Sequence, residues 1–146
     1  MSTATDLEQF IDAQGFRHFK GREFTPYWTR TRKGVRNSVP PKKLWKNILA
    51  TLRLVDALRA ELGAPITLLS TYRSPDYNHA VGGASASYHM QFLAIDFTCS
   101  KGTPAEWAKR LTAMRAAGKF KGGIGIYRRS HFVHIDTRGS NADWRG

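Results

Sequence analysis

The sequence predicts an α+β fold, with helices grouped around a small antiparallel sheet, and three observations carry that prediction. Leu44, Ile48, Leu52, Val55, Leu58 and Leu62 recur at three- and four-residue spacing, the apolar stripe of an amphipathic helix. A second helix is signalled by Thr103, Pro104 and Glu106, a capping-box pattern with proline in the first turn. Three short segments, FLAIDFT, GIGIY and FVHIDT, alternate apolar and other residues with period two, as half-buried strands do.

In chain order, residues 1–38 set Phe10, Phe16, Phe19, Phe24, Tyr27 and Trp28 among basic residues without a clean period, which predicts an irregular wrap with short helices. The first long helix runs from Pro41, suited to a first turn, to Leu62, where Gly63 and Pro65 stop it. ITLLSTY has β character, and SPDYNHAVGG reads as a turn, a short helical turn and a flexible loop. In FLAIDFT, alternation sends Leu93, Ile95 and Phe97 to one face and Ala94, Asp96 and Thr98 to the other. The second helix spans Pro104 to about Ala117 and ends at Gly118. GIGIY and FVHIDT, joined by the polar RRSH, form an antiparallel hairpin in which Val133 and Ile135 oppose His134 and Asp136.

A chain of 146 residues with 41% hydrophobic content fits one domain with a real core. Nothing approaches the roughly 18 consecutive apolar residues of a membrane span, and MSTATDLEQF lacks the basic and apolar parts of an export signal. The expectation is a trimmed chain or a phage-type release route. The net charge of +12 points to an anionic partner, through clusters such as Arg30, Arg32, Lys33 and Arg36 or Lys42, Lys43 and Lys46, or to a merely solvated basic face. No nucleic-acid module signature accompanies the charge, so nucleic acid is an unlikely partner.

His89 and Asp96 lie seven residues apart in SASYHMQFLAIDFT, and His134 follows in HFVHID. Two imidazoles and a carboxylate are a zinc set if they converge. With Cys99 as the only cysteine, a closed cysteine-rich structural site is excluded, which favours an open, water-bearing metal. For any one histidine, a hydrogen-bonded or surface imidazole is the plain alternative.

These residues resemble a family. PPKKLWKNILATL, LRAELGAPITLLSTYRSPDYNHAVGGASASYH, the His89 to Asp96 spacing, GIGIY, FVHIDTRG and Trp144, in this order, are similar to the zinc D-alanyl-D-alanine carboxypeptidases and related peptidoglycan peptidases, which share the Hedgehog/DD-peptidase fold. The pattern is closest to short bacterial and phage cell-wall peptidases. The resemblance implies one zinc ion in a cleft, held by His89, Asp96 and His134. It also implies that Arg73 binds a substrate carboxylate or backbone carbonyl, that Ser87 orients the metal loop, and that Trp144 lines the cleft or anchors the core.

Relatives place an acidic residue three positions before the last ligand histidine, where this chain has His131. His131 could shuttle the proton, provided Ser130 and His131 lie in a bend. Asp136 shares the parity of His134 and is the other candidate, as base or as a brace for a ligand imidazole. Phe92 stands where relatives carry glycine, and its ring is expected to wall and narrow the cleft.

The expected function is zinc-dependent hydrolysis of a peptide bond in the peptidoglycan stem, with D-Ala-D-Ala carboxypeptidase activity first and an endolysin-type endopeptidase second. A non-catalytic zinc-containing cell-wall-binding module is the alternative from another class. The implied partners are peptidoglycan peptides and an anionic wall surface, met by a monomer in the periplasm or outside the cell.

Overall fold

The computed structural model describes residues 3–146. Helix α1, Ala4–Asp12, opens with a capping box between Thr3 and Asp6 and buries Leu7 and Ile11. A 3-10 turn at Gly21–Glu23 leads into the short helix α2, Thr25–Trp28. Strands β1, Thr31–Arg32, and β2, Val35–Arg36, then pair antiparallel. Lys33 and Gly34 between them both take positive φ, 50° and 78°, as a two-residue type I′ hairpin turn requires. This stretch is therefore more regular than the expected wrap. The signal for the hairpin was one glycine between two-residue strands, too short for periodicity to register.

The predicted long helix divides. Lys42–Leu44 forms a 3-10 turn and helix α3 spans Asn47–Leu62. Trp45 turns back at the junction, donating Nε1–H to the Pro40 carbonyl at 2.9 Å and packing its ring on Phe10. Tertiary contacts thus override the helical pattern at its start. Within α3, Ile48, Leu52, Val55 and Leu58 are fully buried, and Gly63 ends the helix in the left-handed conformation.

The main sheet contains β3, Ile66–Ser70; β4, Ala94–Cys99; β5, Gly123–Tyr127; β6, Phe132–Asp136; and β7, Ala142–Arg145. Their order is β3-β4-β6-β5-β7. The first four pair antiparallel, but β7 runs parallel to β5, so the sheet is mixed rather than wholly antiparallel as expected. The chain leaves β6, passes over the start of β5 and adds β7 to its far edge. Gly122 makes that crossing possible, because a Cβ there would strike the backbone of Asp136. The crossing is pinned by Gly139 N–H on the Lys121 carbonyl and Gly122 N–H on Asn141 Oδ1.

Period-two alternation positions the site. In β4, Ile95 and Phe97 are fully buried, with Phe97 against Trp107 of helix α5, Pro104–Ala116, whereas Asp96 points to the opposite face. Asp96 pairs with His134 across the β4–β6 ladder, which places both on that opposite face. Thr103 caps α5 by accepting from Glu106 N–H. Phe92, at the end of the 3-10 turn Tyr88–Gln91, adopts the left-handed conformation with φ 57°. Its ring is completely buried between Phe24, Trp28 and Tyr72. The expectation of a cleft wall is thus corrected: aromatic packing offsets the strain of positive φ and draws the ring into the core.

Candidate metal centre

Three separate elements deliver the candidate ligands. Ser87 opens the 3-10 turn Tyr88–Gln91, its Oγ accepting from His89 N–H at 3.3 Å, and so fixes the backbone that carries His89. Asp96 comes from the middle of β4 and His134 from the middle of β6. One ligand atom from each of the three lies within 4.8 Å of the others, and all three residues are buried. Asp96 Oδ1 stands 3.2 Å from His89 Nε2 and 2.9 Å from His134 Nδ1. Ligands at roughly 2.0–2.1 Å from a tetrahedral ion stand about 3.3 Å apart, so the spacing suits zinc.

The nitrogens that face away from this point are both anchored. His89 Nδ1 lies 2.6 Å from the Thr71 carbonyl, an acceptor, so this nitrogen donates and leaves the Nε2 lone pair directed at Asp96. His134 Nε2 lies 2.7 Å from Asp136 Oδ2, which orients the ring and turns Nδ1 inward. This is the outer-shell arrangement that fixes imidazole tautomers at metal sites. The electrostatics agree. Burial pushes the pKa of His89 down, against the opposing pull of Asp96. Burial also disfavours charge on His134, but its hydrogen bonds to Asp136 and Asp96 outweigh burial and raise its pKa. Asp96, despite burial, is held well below the usual carboxylate range by both histidines. Two buried imidazoles that meet one buried carboxylate form a donor set that a cation would complete.

Asp136 is completely buried and is held by more than His134. It accepts from Gly123 N–H and, in a two-pronged pair, from Arg138 Nε at 2.9 Å and Nη2 at 2.8 Å. These bonds outweigh the effect of burial and keep it ionised. Asp136 meets the candidate ligands only through His134, the contact on which its expected role as a brace would rest. His131 does not reach the site at all. It lies in the bend between β5 and β6 with φ 56°, yet its ring packs 5.1 Å from Trp107, on the helix-covered face of the sheet. The odd offset from His134 decides this, because the bend does not carry the side chain across the sheet. The structure thus places His131 apart from the three candidate ligands, without a contact through which the expected proton transfer would run.

A cleft of about 670 Å³ opens over the three ligand residues and is walled by the Gly82–Tyr88 loop, Tyr127, Arg138 and Trp144. The Trp144 ring lies 4.9 Å from that of His134 and donates Nε1–H to the Tyr127 hydroxyl at 2.8 Å. Gly125, beneath it, admits the indole because a Cβ there would collide with it. Trp144 is thus a cleft wall, half-buried at the edge of the sheet.

Arg73 stands at the rim, Nη2 3.6 Å from Asp96 Oδ2, with Nε donating to the Tyr27 hydroxyl and Nη1 to Asn78 Oδ1. Its loop is clamped by Asn37, which donates to the carbonyls of Tyr27 and Tyr72 and accepts from Ser74 N–H. Arg138 lies over the Tyr88 ring at 4.2 Å, tying the metal loop to the end of β6. Tyr27, Asn37, Asn78 and Arg138 were not singled out in the sequence as site residues. Each acts through a fold-dependent contact, and only Arg138, two positions after Asp136, carried a local cue.

Comparison with known proteins follows the same outline. The Peptidase M15 family model matches residues 17–136. The peptidoglycan L,D-endopeptidase MepK of Escherichia coli strain K12 is 41% identical over 78 residues, which cover 50% of this chain and 40% of MepK. The probable peptidoglycan L,D-endopeptidase MepK of Haemophilus influenzae is 35% identical over 88 residues, 57% of this chain and 44% of the relative. The matched stretch therefore spans less than half the length of either relative.

Proposed function

Because the chain belongs to the Peptidase M15 family, we propose that it is a zinc-dependent peptidase that hydrolyses a peptide bond in the stem peptides of peptidoglycan. The observation that carries this reading is the meeting of His89, Asp96 and His134 at one point of an open cleft, with the outward nitrogen of each imidazole anchored. His89 through Nε2, His134 through Nδ1 and Asp96 through Oδ1 would hold the ion. Zinc, when bound, supplies Lewis acidity that polarises a carbonyl and acidifies water.

The remaining chemistry belongs to the chain. Asp136 accepts from His134 Nε2–H and keeps the ring from rotating. Arg73, tethered by Tyr27 and Asn78, keeps Nη2 towards the cleft as a donor for a substrate carbonyl or carboxylate. Trp144 and Tyr127 give a flat wall on which a peptide can lie and which keeps water from His134 on that side. Ser87 fixes the loop that brings His89 in.

For the bond cut, the relatives named as L,D-endopeptidases support an internal cleavage. The carboxypeptidase reading has one observation of its own, the cationic Arg73 beside Asp96, which suits a terminal carboxylate. Mass analysis of products from purified peptidoglycan decides between them. Release of stem fragments longer than one residue is expected, and release of single D-alanine marks the carboxypeptidase. A zinc-loaded protein that leaves peptidoglycan intact would make the domain a non-catalytic wall-binding module.

A further inference from the structure

The cleft has a second arm. A groove of about 220 Å³ is lined by Tyr27, Arg30, Arg32, Ser70 and Tyr77 and shares Arg73, Asp96 and Phe132 with the main cleft. Along the sheet order, the main cleft lies over β6, β5 and β7, and this groove lies over β3, with Asp96 on β4 between them. A chain laid through both passes Asp96 and leaves at either end.

The groove is cationic and built. Arg30 lies over the Tyr27 ring at 5.3 Å, Tyr27 accepts from Arg73 Nε at 3.2 Å, and Arg73 faces Asp96. A continuous ladder of side chains therefore runs from the groove to the metal centre. The Lys33–Gly34 turn holds Arg32 beside Arg30 on a tight hairpin that packs against helix α4, Pro75–Ala80. Asp96, committed to the two histidines, is the only carboxylate lining either arm among the described residues. Arg30 and Arg32, which pair with no carboxylate among the described residues, suit an anionic, planar ligand group, which arginine binds through paired donors.

Resting on the peptidase reading, we propose that this groove is a substrate subsite for a carboxylate-bearing residue of the peptide, on the side of the scissile bond away from Trp144. Arg30 and Arg32 are its specificity-determining residues.

The test compares a synthetic cross-linked stem-peptide dimer carrying free carboxylates with the same dimer amidated at those groups. The wild-type protein should favour the free carboxylates by about tenfold in KM. In Arg30→Gln/Arg32→Gln that preference should collapse towards one. Arg53→Gln/Lys109→Gln removes two exposed charges elsewhere and should keep the preference. An unchanged preference in the groove variant overturns the proposal, as does an equal loss on both peptides, which is what diffuse attraction would give. If the wild-type protein cleaves neither dimer and releases no D-alanine from peptidoglycan, the peptidase reading fails on its own. Equilibrium binding of the two dimers to the same three proteins then tests the groove: carboxylate-selective binding lost only in Arg30→Gln/Arg32→Gln supports it, and equal binding overturns it.

Discussion

At the scale of single residues, Asp136 and His131 separate most cleanly. Asp136 has no exposed surface and holds His134 at 2.7 Å, so Asp136→Ala should cost about 10–100-fold in zinc affinity. Competition with a chromogenic chelator measures it, and an unchanged affinity would deny Asp136 its role as a brace. His131→Ala should leave kcat/KM for a peptidoglycan peptide at the wild-type value, because its ring sits on Trp107 across the sheet from the cleft. A large fall in kcat with zinc retained would reinstate it as the proton-transfer group. Much of this was legible in advance. Strand parity alone put Asp96, His134 and Asp136 on one face and cast His131 as the odd member. What parity could not show was the company each side chain keeps. Asn78 meets Arg73 from 5 residues away, and Tyr27 from 46, through a contact that exists only once the N-terminal segment has packed.

At the scale of elements, the 3-10 turn that carries His89 depends on how it ends. Phe92 closes that turn with φ 57°, a conformation that costs a side-chain-bearing residue on the order of 1 kcal/mol. Its ring is enclosed by Phe24, Trp28 and Tyr72, and losing a buried phenylalanine costs about 3–5 kcal/mol. Packing therefore wins. Phe92→Ala should destabilise the fold by roughly 3 kcal/mol, and Phe92→Gly should be the milder change by about 1 kcal/mol, because glycine takes positive φ without strain. Denaturant unfolding of both variants checks the order, and the reverse order would mean that the turn is not strained. Helix α3 and the β5–β6 hairpin were readable because their repeats span several turns or pairs, and α5 because Thr103, Pro104 and Gly118 mark its ends. The two-residue strands β1 and β2 and the parallel β7 were not. Their pairing is set by one turn and one crossing loop, and neither leaves a period in the sequence.

At the scale of the whole molecule, the candidate metal centre gathers three parts of the chain that are far apart in sequence. His89 hangs from a loop, Asp96 from β4 and His134 from β6, and two of the three ligand approaches place a carboxylate oxygen against an imidazole nitrogen. An ion bound there is bound by the folded chain alone, since residues 89 and 134 have no fixed relation once it unfolds. Zinc at about 100 times its dissociation constant should then stabilise the fold by about 2.7 kcal/mol. For a chain of this size that raises Tm by roughly 5–10 °C. Thermal melts of the chelated and zinc-loaded protein read the shift, and it should vanish in His134→Ala, which removes a ligand without emptying the core behind β6. A Tm that ignores zinc in the wild-type protein would mean that the ion does not bind among these three residues, and the peptidase reading would lose the observation that carries it.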